Sequence, residues 1–279
     1  MTIGVSSTST GAFSIGGSGA LALGLEAYSL TLQGGNTAFT NGITLNAAET
    51  LNFDLGTGTI TSAIGPGTDI TADTLTITSS GGVGISGDAL TTAVNVLGAS
   101  TVTGALFVTN AGALDIGGAL DAGANAVVLE SGGDITQSGG ATITAGGLKI
   151  TTTGGTAVTL NEANAVTTLA ANTAGALSYT NNGGLTVGTV DSTVGITTGG
   201  TAIDDVTLDV GLNLLTVSDV INATSGTVSL TSNTIDLTAV VTGNEAILLI
   251  PDAGATSVGL NDGAGTFNLD AAELVRIHK

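Results

Sequence analysis

The chain has 279 residues, 42% of them hydrophobic, 3% aromatic and 9% charged, with 45 Gly, 2 Pro and no Cys. Its net charge of −19, with Lys149, Arg276 and Lys279 as the only Lys and Arg residues, excludes binding to nucleic-acid phosphates and anionic membrane surfaces. The absence of Cys excludes disulfides and thiolate metal sites, the Gly without a three-residue period excludes collagen, and abundant Val, Ile and Leu argue against disorder.

In chain order, MTIGVSSTSTGAFS (Met1 to Ser14) has neither a basic start nor an apolar h-region, so no signal peptide lies within this chain. GGSGALALG (Gly16 to Gly24) imitates a phosphate loop but has no Lys and no helical pattern after it, so no phosphate site is assigned there. The phrase ITLNAAE (Ile43 to Glu49) returns as VTLNEAN (Val158 to Asn164). DITADTLTITSSG (Asp69 to Gly81) returns as TITAGGLKITTTG (Thr142 to Gly154), and LDIGGALDAGANAVVL (Leu114 to Leu129) as LTVSDVINATSGTVSL (Leu215 to Leu230). The offsets are 115, 73 and 101 residues, so strand phrases recur without one strict period.

Within each phrase the period is two. Leu75 and Ile77 point one way while Thr74, Thr76 and Thr78 point the other, and LKIT (Leu148 to Thr151), GLTVGTV (Gly184 to Val190) and VSLTS (Val228 to Ser232) repeat the alternation. Gly, Asn, Asp and Ser interrupt these runs about every 7 to 12 residues, as turns between short strands do. Helical patterning is almost absent, and the chain is predicted to be all-β. A β-sandwich array also alternates. A parallel β-helix is favoured by the recurring phrases, by small inward aliphatics, and by the few hairpin dipeptides: Asn41-Gly42, Asn182-Gly183 and Asp262-Gly263. Coils of roughly 20 to 25 residues predict a single repeat domain over 1–279, with about 12 turns and a length of ~60 Å. AILLI (Ala246 to Ile250) is the longest strongly apolar run, too short to span a bilayer. Asp270, Glu273, Leu269 and Leu274 fit a capping box and staple for one helical turn at 270–275, and one more irregular strand is an equally open reading of the segment.

Residues with chemical potential are few. Asp204, Asp205 and Asp209 form the densest acidic cluster, but neighbouring strand residues point apart. NDGAGTFNLD (Asn261 to Asp270) departs from known calcium loops. His278, the one His, is expected to fray at the terminus. Asn222-Ala223-Thr224 is a formal glycosylation sequon, and the Thr-x-Thr pairs (Thr76/Thr78, Thr101/Thr103, Thr142/Thr144, Thr151/Thr153) lack the constant spacing of an ice-binding lattice. No catalytic, cofactor-binding or metal-binding residues, no cofactor and no enzymatic activity are expected of this chain.

GGDITQSGGATITAGGLKITTTGGTAVTLNEAN, NTAGALSYTNNGGLTVGTVDSTVGITTGG and SVGLNDGAGTFNLDAAELVRI resemble the repeats of filamentous-haemagglutinin-like bacterial exoproteins, most closely from Val127 to Ile277. The resemblance implies a single-stranded right-handed parallel β-helix shaft. It also implies a structural and adhesive role at the cell surface or in secreted form. The Asn-Pro-Asn-Gly type motif of that family's secretion domain does not occur here, so a segment of a longer chain is expected. Expected partners are neighbouring repeats or copies of itself through open coil edges, and glycans or host surfaces, with no membrane insertion. A self-assembling extracellular fibre subunit is the second reading, and a polysaccharide-binding or polysaccharide-degrading protein the third.

Overall fold

The computed structural model describes residues 2–4, 13–15, 21–23, 29–39, 42–45, 48–62, 67–155, 157–199, 204–252, 257–260 and 265–279. Strands make up 62% of the chain, stacked in parallel as a β-solenoid of about ten turns. Each coil lays strands on three sides. The first side climbs through Ser29–Gln33, Thr50–Asp54, Thr74–Ser80, Val96–Val102, Leu114–Ile116 and Ile135–Gln137. It continues through residues 157–160 to Ala176–Asn181, Val206–Asp209, Val228–Ser232 and Ile247–Pro251.

The second side begins at Thr37–Phe39, Thr59–Ser62 and Gly82–Val83, and the third at Ile43–Leu45, Ile70–Thr71 and Leu90–Ala93. In the middle coils these two sides run straight into one another, as Leu106–Asn110, Ala126–Ser131 and the later parts of Ile143–Thr152 and Ala157–Thr173. They part again at Leu185–Val187 and Ile196–Thr198. Ten turns form rather than 12 because coil length is not constant. Partners are 19 residues apart at Val158 and Leu177, 30 at Leu185 and Leu215, and 36 at Val241 and Ile277.

Alternation becomes burial. Leu75 and Ile77 are buried between half-exposed or exposed neighbours, and Leu148 and Ile150, Leu177 and Tyr179, and Val206 and Leu208 between half-exposed ones. Stacked in register, they build one core that runs from Leu30 to Leu269. Leu97 sits on Leu75, and Leu30 under Leu51; Phe39 and Phe53 meet edge to face at 6.0 Å. The recurring phrases do not stack on one another, however. Thr74–Ser80 lies on the first side while its sequence relative at 148–151 lies on the second and third. Likewise Leu114–Ile116 is on the first side and Leu214–Val217 on the second. The shared phrase encodes an inward–outward pattern that every side requires, not a position around the coil.

Corners are where the stack is tightest. A Cβ on Gly132 would lie 2.0 Å from the Ala111 carbonyl oxygen, and one on Gly104 would lie 2.2 Å from that of Gly81. At these corners backbone rests directly on backbone, and only Gly fits. Buried polar side chains serve the peptide groups that the bends release. Asn110 Nδ2 donates to the carbonyls of Val94, Gly112 and Ala113, while its Oδ1 accepts from Val94 N. Asn181 repeats this pattern on Val166, Gly183 and Gly184. Its Oδ1 also accepts from the buried Tyr179 hydroxyl, whose pKa is pushed above the usual value by burial. Asn182-Gly183 is thus a solenoid corner and not a hairpin. Asn41 and Asp262-Gly263 lie outside the described residues.

The helical turn expected at 270–275 forms over Ala271–Leu274, with the Asp270–Glu273 capping box complete. Leu274 stays exposed rather than closing a staple onto buried Leu269. Glu273 does double duty: its Oε2 accepts from Asp270 N at 2.8 Å within the cap, and its Oε1 accepts from Leu237 N at 2.9 Å, while Arg276 Nη1 donates to the Leu237 carbonyl at 2.6 Å. His278 does not fray as expected, because Ile277–His278 adds a last strand beside Val241–Gly243. Among the described residues no helix is long and apolar enough to cross a membrane.

Three substitutions check the corner argument by chemical denaturation. Gly132→Ala is expected to lose roughly 1–3 kcal/mol by overpacking, whereas Gly139→Ala, with nothing within 4 Å of the new methyl, is expected to be near neutral. Asn181→Ala strips partners from several buried peptide groups, each costing about 1–3 kcal/mol when left unsatisfied; loss of a cooperative transition at ordinary temperature is the expected outcome.

Candidate functional site

The acidic residues read from the sequence do not converge. Asp204 is buried and its Oδ2 accepts from Ser225 Oγ at 2.7 Å, Asp205 Oδ1 accepts from Thr227 N at 2.7 Å, and Asp209 Oδ1 accepts from Gly211 N at 2.9 Å. The Asp205 contact has counterparts in Asn36 to Thr59 N and Asp134 to Ala157 N, each reaching one coil ahead. Asp204, Asp205, Asn36 and Asp134 are thus fasteners between successive coils, while Asp209 closes its own turn. Among the described residues no group of three or more His, Asp or Glu could hold a metal ion. Asn222 sits mid-strand in Ile221–Ala223. His278 is exposed with its Nε2 2.9 Å from the Val275 carbonyl oxygen. Of the two Gly-rich phrases, Asn261 to Ala264, Gly16 to Ala20 and Gly24 lie outside the described residues.

The structure does bring other groups together, on the face where the second and third sides merge. There the outward residues Phe107, Val128, Lys149 and Ala170 form a row along the axis. At each end of this row one residue is replaced by a loop. Val83 stacks on Leu106 and Leu90 on Val108, so residues 84–89 stand where Phe107 stands in the next coil. Val187 stacks on Leu169 and Ile196 on Ala171, so residues 188–195 stand where Ala170 stands. Both insertions are hairpins. Ile85 and Asp88 exchange backbone hydrogen bonds across Ser86-Gly87, with Gly87 at φ 82. Thr189–Val190 and Thr193–Val194 pair antiparallel across Asp191-Ser192, both at positive φ, as a type I′ turn demands.

The hairpins lean toward one another over the row and touch. Ser86 Oγ donates to Asp191 Oδ1 at 2.5 Å. Beneath, Lys149 Nζ lies 3.3 Å from Asp191 Oδ2 and 3.0 Å from Glu130 Oε1. Val128, Ala170 and Val190 are buried although they lie outside the core, forming a small second apolar layer. The result is an arch braced on the barrel face. Its mouth is a cleft of about 490 Å³ whose walls include Asp88, Phe107, Glu130, Lys149 and Asp191.

Burial by itself would lower the Lys149 pKa. Hydrogen bonds and charge from Glu130 and Asp191 outweigh it, and the ammonium is held above its ordinary 10.5. Lys149 is therefore a fixed charge and a hydrogen-bond donor, unsuited to act as a general base at neutral pH.

Sequence reasoning missed the arch. One signal was available: in TVDSTV (Thr189 to Val194) the same Thr-Val pair flanks Asp-Ser, a two-residue hairpin written without Gly or Asn. No signal shows that residues 105 apart, Ser86 and Asp191, meet above the same strand row. No family model matches the chain, and no curated protein or solved structure matches it significantly.

Replacing Lys149 by Met would leave Glu130 and Asp191 facing one another without their cation. The expected loss is ~1–2 kcal/mol, between the limits for exposed and buried pairs. Because the folded-state pKa of Lys149 is raised, its contribution is complete below pH 10.5 and is lost as pH climbs through the raised value. Thermal melts of wild type and Lys149→Met across alkaline pH should converge only above 10.5.

Proposed function

We propose that the chain is a structural and adhesive shaft segment of a bacterial cell-surface or secreted filamentous exoprotein. The observation that carries this reading is the single hydrophobic core cluster, stacked coil on coil from Leu30 to Leu269. A solenoid of this kind has stability that is roughly a sum of nearest-neighbour interfaces, which suits a rod that must hold its length. The arch adds a longer coupling, tying the coil of Ser86 to that of Asp191 across the four coils of Phe107, Val128, Lys149 and Ala170. The acidic, Cys-free surface fits an extracellular setting, and the charged Lys149 gives no support to an enzymatic reading.

One observation favours a second reading, a fibre subunit that grows through its open edge. Ile247–Pro251 pairs with Val228–Ser232 on one side only among the described residues, and its Leu248 and Ile250 are exposed. An unpaired strand edge with apolar side chains invites a further strand. The two readings separate in negative-stain electron microscopy over a concentration series. Discrete rods of ~48 Å, about ten strand spacings, are the expected result. Filaments that lengthen with concentration would replace the first reading by the second, and compact globules would overturn both.

A further inference from the structure

We propose that the cleft at the arch binds a short, neutral oligosaccharide; this rests on the adhesive reading of the shaft and gives it a ligand class and a site. Four observations carry it. First, Phe107 is the one aromatic side chain among those described that is not buried, since Phe39, Phe53, Tyr179 and Phe267 all lie in the core. It stands in the floor of the cleft, beside Val128 in the outward row. A flat apolar ring, here set beside Ile85 and Val128 in a cleft otherwise walled mostly by polar side chains, is what the C–H face of a sugar packs against.

Second, donors and acceptors stand around that ring in mixed order. An ammonium has three donors. Lys149 commits donors to Glu130 and Asp191, which leaves one for a hydroxyl. Asp88 is exposed on the rim, and carboxylates there accept from sugar hydroxyls. Third, the charge of the cleft selects against anions. Asp88, Glu130 and Asp191 stand against Lys149, three acids to one base, in a chain of net charge −19. Sialylated, sulfated or uronate-bearing chains are repelled. A cation is disfavoured as well, because the Lys149 ammonium already occupies the position between the two carboxylates.

Fourth, the site is preformed and of suitable size. The Ser86–Asp191 contact closes the arch in the free protein. The cleft of about 490 Å³ adjoins a second depression of about 490 Å³ on the far side of the 84–89 loop, and the two share Ile85, Ser86 and Phe107. Pockets of that size suit small-molecule ligands, and a rigid site loses less entropy on binding.

The test is calorimetric titration of the whole chain with a panel of short neutral hexose oligosaccharides, beside sialylated and uronate-containing ones. At least one neutral member should bind, and the acidic members should not. Phe107→Leu keeps apolar bulk but removes the ring, and should weaken that binding by about two- to twelve-fold. Asp88→Asn, on an exposed loop, should weaken it while leaving the fold intact, and it decides the matter if Phe107→Leu does not fold. The proposal is overturned if no neutral oligosaccharide binds, if acidic ones bind better, or if neither substitution changes the affinity. Rods that persist in micrographs without any glycan binding would remove this inference and leave the shaft reading standing. Binding by a chain that forms no rods would do the reverse.

Discussion

The constraint on which everything else in this molecule depends is the spacing between one parallel strand and the next, about 4.8 Å. Every coil must fit between two others at that distance, all the way around its perimeter. Where the chain is straight, backbone hydrogen bonds satisfy the constraint and side chains alternate freely. At a bend, the same spacing sets peptide against peptide, as at Gly104 over Gly81 and Gly132 over Ala111. The abundance of Gly in this chain, 45 residues, follows in part from that geometry.

The constraint also accounts for the polar residues of the interior. A bend breaks the ladder, and the freed N–H and C=O groups cannot reach water when another coil lies above them. Asn110 and Asn181 solve the same problem with the same set of bonds: each serves both the N–H and the C=O of one residue in the preceding coil, Val94 or Val166, and donates to the carbonyls at its own bend. Asp134 and Asp205 do it with carboxylates that accept from the next coil's backbone. Much of the chain's acidity is therefore structural, which is why its acids are spread along the chain and the densest of them, at 204–209, face separate partners.

The arch uses the one freedom that the stack allows. An outward position can be exchanged for a loop without disturbing the inward neighbours, so Val83 and Leu90 keep their places on Leu106 and Val108 while residues 84–89 leave the surface. Doing this at equivalent points of two coils, with the straight strands of the coils between as a floor, creates a covered face on an otherwise open rod. Only there does the chain bring together its buried-side Lys149, its one unburied described aromatic and three acids. A surface site on a solenoid needs such relief, because the strands alone present a flat wall.

The all-β class was legible in the sequence, since alternation of period two is a local property, and the recurring phrases with small inward aliphatics favoured a stacked solenoid over a sandwich. The sequence also determined the capping box at Asp270 and Glu273, which depends on neighbours three residues apart. It did not determine which phrase stacks on which. Leu75 and Leu148 carry the same local pattern yet stand on different sides, because every side asks for the same alternation and the corners between them vary in length. Nor could it show the meeting of Ser86, Lys149 and Asp191. That meeting depends on how many coils separate the two hairpins and on which residue of each coil faces outward. Only the register of the whole stack sets those two quantities.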